Sequence, residues 1–105
     1  AESMRERRKL AYAGQVTVAL AVNRKGALIS GPDVRATGLP EDDEFSIEQF
    51  LDALAQSAEE AFEALPIESR RSEEAAETAI VRQVKRDANR IWGKKPVVDA
   101  MVLTV

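Results

Sequence analysis

Six cations gather in one short stretch of this chain. Arg82, Lys85, Arg86, Arg90, Lys94 and Lys95 fall within residues 78–95, where Asp87 is the single acid. Arg82, Arg86 and Arg90 recur every four residues, a spacing that aligns them on one face of a helix. Guanidinium and ammonium groups in such a row can hold the phosphates of a nucleic acid. A second reading stays open, in which the row is a solvated face that pairs with acids elsewhere. Residues 41–65 supply such acids, nine of them with no Lys or Arg. The formal net charge of −3 works against strong stand-alone binding to a polyanion. So does the lack of an aromatic stacking platform, since Tyr12 and Trp92 do not interleave with the cations.

Other chemistries are excluded by residue type. With no cysteine there is no disulfide, thiolate nucleophile or Cys-ligated zinc. With no histidine there is no Ser-His-Asp triad, HExxH helix or imidazole metal site. Carboxylates alone could hold magnesium or calcium. However, Glu41, Asp42, Asp43 and Glu44 are consecutive and lack the alternating order of a calcium loop. Hydroxyl nucleophiles would need a Ser–Lys arrangement, and no spacing suggests one. The five glycines are scattered and form no phosphate-binding loop. No catalytic residue, metal ligand or cofactor site is therefore expected here.

The elements that must position the cations can be read from periodicity. Val16, Val18, Leu20 and Val22 alternate with Gln15, Thr17, Ala19 and Ala21, as in a half-buried strand. A turn at Asn23–Gly26 leads into a second strand from Ala27, making a hairpin over 15–30. Gly31-Pro32 breaks that strand or confines it to a sheet edge, and Val34–Gly38 can continue it. Ser46 is an N-cap, with Gln49 at the capping-box position. Apolar residues at 47, 50, 51, 54, 58, 61, 62 and 65 then form a helical stripe that Pro66 ends. A second helix, capped by Ser72, carries a narrower stripe of Ile80, Val84, Ala88 and Ile91, broadened by Val81 and Trp92. Gly93 and Pro96 stop it. VVDAMVLTV reads as a last strand covered on both faces.

These elements predict an α+β domain of order β-β-α-α-β, a small three-stranded sheet with two helices packed on one face. The last strand is expected beside the first, because both are the richer in apolar residues. Residues 1–9 read as a linker remnant and 10–105 as one domain. No run approaches about 18 apolar residues, so no membrane segment is expected, and the start AESMRERRKL lacks the apolar core of a signal peptide. The absence of cysteine suits the cytoplasm. Of 47 apolar residues, 17 are alanine, which leaves a small core and invites a partner chain.

Three collinear segments together resemble a known family. They are RKLAYAGQVTVALAVN over 8–23, LISGPDVRATGL over 28–39 and WGKKPVVDAMVLTV over 92–105. Their order and spacing are similar to the C-terminal domain of bacterial ribonuclease J, within the metallo-β-lactamase/β-CASP ribonucleases. The resemblance covers about Arg7 to Val105. Thr37 departs from it, standing where the family tends to have arginine, so that arginine's role does not transfer.

The resemblance implies a parent hydrolase that degrades RNA from the 5′ end and also cuts internally. Zinc or another divalent metal would be held in its upstream domains. It implies a non-catalytic role for this domain, in oligomer assembly and support of the catalytic domains. The expected interface is the sheet face turned away from the helices, with Thr17, Ala19, Ala21, Met101, Leu103 and Val105. The expected partners are a second copy, in a homodimer or higher oligomer, the catalytic domains of the same chain, and RNA through the parent enzyme. The alternative is an RNA-contacting module that guides substrate along the basic helix face.

Overall fold

The computed structural model describes residues 14–39 and 46–105. The linker remnant at 1–9, the start of the first family-like segment, Tyr12 and the acidic run Glu41–Glu44 lie outside the described residues. Three strands and three helices follow in the order β1 (Gln15–Val22), β2 (Leu28–Thr37), α1 (Ile47–Glu63), α2 (Ile67–Arg70), α3 (Glu73–Trp92) and β3 (Val97–Thr104). The strand order is β2-β1-β3, with β2 antiparallel and β3 parallel to β1. The last strand thus lies beside the first, as the apolar content predicted.

The period-2 pattern of β1 becomes a two-sided strand. Val16, Val18, Leu20 and Val22 are buried beneath the helices, and the residues between them face outward. The turn to β2 is built by Asn23, whose Oδ1 accepts from the backbone N–H of Lys25 and of Ala27, both at 2.9 Å. Gly26 closes it at φ 85°, buried against α2; a Cβ there would lie 3.1 Å from that of Arg70. β2 runs unbroken through Gly31-Pro32 as an edge strand, with its register to β1 shifting around Ala21.

Ser46 and Ser72 cap the two long helices, their hydroxyls accepting from the N–H of Gln49 and Ala75. Gly93 ends α3 in the left-handed region. The one-turn helix α2 is an addition to the predicted order. Its Arg70 reaches back to the end of α1, where no basic residue stands in the last turn. Arg70 Nε donates to the Leu65 carbonyl at 2.9 Å and Nη2 to that of Glu63 at 2.6 Å. Two helix-terminal acceptors are satisfied in this way.

α1 and α3 run antiparallel, since Phe50 meets Trp92 and Ser57 meets Asp87. Their stripes bury Phe50, Leu54, Ala58, Ala61 and Phe62 against Ala76, Ile80, Val84 and Ala88. Ile91 departs from its predicted place on the stripe and is exposed. Trp92, tilted on Phe50 with ring centroids 5.8 Å apart, packs at that end instead. β3 departs as well. Only its Val98, Ala100 and Val102 face the helices, because α1 and α3 occupy a single side of the sheet.

Candidate functional site

The sheet face opposite the helices is built row by row from strand pairing. Arg35, Thr17 and Asp99 share one row. Asp33, Ala19 and Met101 share the next, and Ser30, Ala21 and Leu103 the one after. The face divides into two halves. Its polar half holds Gln15, whose Nε2 donates to Asp99 Oδ2 at 2.7 Å, and the exposed Arg35–Asp33 pair at 3.4 Å. Its apolar half exposes 53% of Met101, 53% of Leu103 and 67% of Val105, beside the small Ala19 and Ala21. Five of the six residues expected at an interface lie in this half, and Thr17 stands at its polar border. Exposed apolar side chains in such a group are unusual on a surface that only water covers.

The six cations are distributed by α3 and the loop after it. Arg86 and Arg90 lie 3.6 and 3.7 Å from Asp87 Oδ1, yet both remain 70% exposed. Lys94 Nζ sits over the Trp92 ring, 5.3 Å from its centroid. Arg82 and Lys85 line a depression with Glu77 and Asp99, where acids share the space. Lys85 and Arg86 meet Lys95 across a groove of about 460 Å³, together with Asn89, Pro96 and Val97. The fold thus joins Lys95 to Lys85 and Arg86, while Arg82, Arg90 and Lys94 stand outside this groove.

Acids collect at the opposite end. Glu59, Glu60 and Glu63 close α1, and Glu73 and Glu74 open α3, so antiparallel packing sets them together. Among the described residues, each ion pair of the basic helix is made to its own Asp87 and none to α1.

Asp87 itself turns inward. Its Oδ2 accepts from Ser57 Oγ at 2.5 Å in the buried seam between α1 and α3. This pair, like Asn89 in the groove, escapes a reading by residue type. Its signal is a polar residue on each stripe, Ser57 three residues beyond Leu54 and Asp87 three beyond Val84. Among the described residues, no cluster of three or more His, Cys, Asp or Glu could hold a metal ion, and no helix is long and apolar enough to cross a membrane.

Comparison with known proteins adds the family. The model of the ribonuclease J C-terminal domain matches residues 2–105. A curated relative, ribonuclease J of Sinorhizobium meliloti, is 36% identical over 100 residues. The aligned part covers 95% of this chain and 18% of that protein.

Proposed function

The chain belongs to the ribonuclease J C-terminal domain family, and from that premise we propose that it is the non-catalytic accessory domain of a cytoplasmic RNA-degrading enzyme. Its role is to hold protomers together and so support the catalytic domains of the same chain. Those domains carry the 5′ exo- and endonucleolytic hydrolysis and its divalent metal. The observation that supports the assembly role is the apolar half of the outer sheet face, with Met101, Leu103 and Val105 beside Ala19 and Ala21. A second copy apposed about a two-fold axis would cover the same patch on both partners.

The size of the patch decides how strong that contact is. Three strands about 4.8 Å apart and eight residues long at about 3.3 Å each give a face of roughly 14 by 26 Å. That is less than the roughly 800 Å² per partner of a standard stable interface. The sheet alone then supports a weak dimer, and contacts of the catalytic domains complete the assembly. Light scattering over a concentration series tests this. The chain should dimerise at high micromolar concentration, and Leu103→Lys should keep it monomeric while leaving its circular dichroism unchanged. A strictly monomeric chain throughout the series would refute the sheet as an interface.

A further inference from the structure

We propose that the groove between the end of α3 and the start of β3 holds the phosphodiester backbone of single-stranded RNA, through Lys85, Arg86, Asn89 and Lys95. The proposal rests on the reading of the parent as an RNA-degrading enzyme, and it is independent of the sheet interface.

Three features of the groove carry it. First, its charge is of one sign. Lys85, Arg86 and Lys95 line it with no carboxylate among them. Asp87, the single acid of this stretch, has its side chain only 10% exposed and turned to Ser57, against 70% for Arg86. A phosphate in the groove meets these cations, while Glu77 and the exposed Asp99 line the adjoining depression that Lys85 also borders. Second, the donors are of the kinds that suit a nucleotide backbone. The Arg86 guanidinium can present two parallel N–H groups to phosphate oxygens, and the ammonium groups act as point charges. Asn89 adds a neutral amide able to donate to phosphate or to meet a ribose hydroxyl. Third, the groove is assembled by tertiary structure. Gly93 turns the chain at φ 78° and Pro96 is buried, so Lys95 comes back alongside a helix that has already ended. Glu59, Glu60, Glu63, Glu73 and Glu74 stand at the other end of the helix pair, on the late α1 and early α3 turns.

Fluorescence anisotropy of a labelled oligouridylate of about 20 nucleotides, titrated with the 105-residue chain, tests the proposal. Three phosphate-neutralising side chains give a slope of log affinity against log salt of about −2, and so about 20-fold weaker binding at 200 mM salt than at 50 mM. Replacing Lys85, Arg86 and Lys95 by Glu together should abolish binding. An equal charge change at Arg24, Lys25 and Arg71, which lie outside the groove, should leave affinity within about threefold. Lys95→Gln alone, a conservative change in an exposed loop, should flatten the slope by about 0.7. No binding at 50 mM salt, equal losses in the two triple variants, or displacement of the RNA by an equal concentration of polyglutamate would each overturn the proposal. RNA degradation by the full-length protein is scored separately. Degradation that persists without binding to the groove refutes the groove and leaves the enzyme reading intact.

Discussion

The buried Ser57–Asp87 pair allows a quantitative prediction. Both residues are buried, at 4% and 7% exposure, and their hydrogen bond is the polar link between the apolar stripes of α1 and α3. Asp87→Ala leaves the Ser57 hydroxyl in that seam without its acceptor, at a cost of about 1–3 kcal/mol. The accompanying loss of the ion pairs to Arg86 and Arg90 adds little, because both arginines are 70% exposed. A net loss of about 2 kcal/mol is expected, which for a domain of this size lowers the midpoint by roughly 8–16 °C. Ser57→Ala leaves Asp87 Oδ2 without its donor, while Oδ1 keeps Arg86 and Arg90 beside it, and should cost about 1 kcal/mol. Replacing Ser57 and Asp87 by Ala together removes both polar groups, so the double variant should lose less than the two single changes summed, by at least about 1 kcal/mol. Urea unfolding followed by Trp92 fluorescence reads this directly, since Trp92 is the single tryptophan and packs on Phe50. Strict additivity of the cycle, or an Asp87→Ala variant as stable as the parent chain, would refute the view that the pair acts as a unit.

Three further perturbations separate backbone, core and surface. Gly14→Ala should destabilise by about 2 kcal/mol or more in thermal melts, because φ is +68° there and the new Cβ would lie 2.5 Å from the Thr37 carbonyl oxygen. Leu54→Ala, at a fully buried site, should cost about 2–5 kcal/mol by denaturant unfolding. Met101→Ala, at a site 53% exposed, should change stability by less than about 0.5 kcal/mol while weakening self-association.

The elements were legible in the sequence wherever periodicity had a single physical cause. β1 buries every second residue, so Val16–Val22 announced both the strand and its inner face. Ser46, Ser72, Gly93 and Pro96 marked helix ends because caps depend on a few local hydrogen bonds and dihedrals. Helix α2 was not legible. Four residues carry no stripe, and Arg70 acts by meeting carbonyls five and seven residues earlier, a contact that exists only after the chain folds back. Ile91 misled for a related reason. The stripe continues past the point where α1 begins, and packing at the Phe50 end selects Trp92.

Residue types by themselves determined what this chain lacks. A chain without His or Cys offers neither imidazole nor thiolate, whatever its fold. They also determined the local elements, because capping and side-chain alternation act within a few residues. Tertiary structure decided which like charges stand together. Antiparallel packing of α1 on α3 sets Glu59, Glu60 and Glu63 near Glu73 and Glu74, away from the cations that end α3, and the turn at Gly93 returns Lys95 to Lys85 and Arg86. It also decided that one face of β3 stays open, since two helices on one side of a three-stranded sheet leave Met101, Leu103 and Val105 uncovered. Both surfaces arise from contacts between residues far apart in the chain, which linear spacing does not encode.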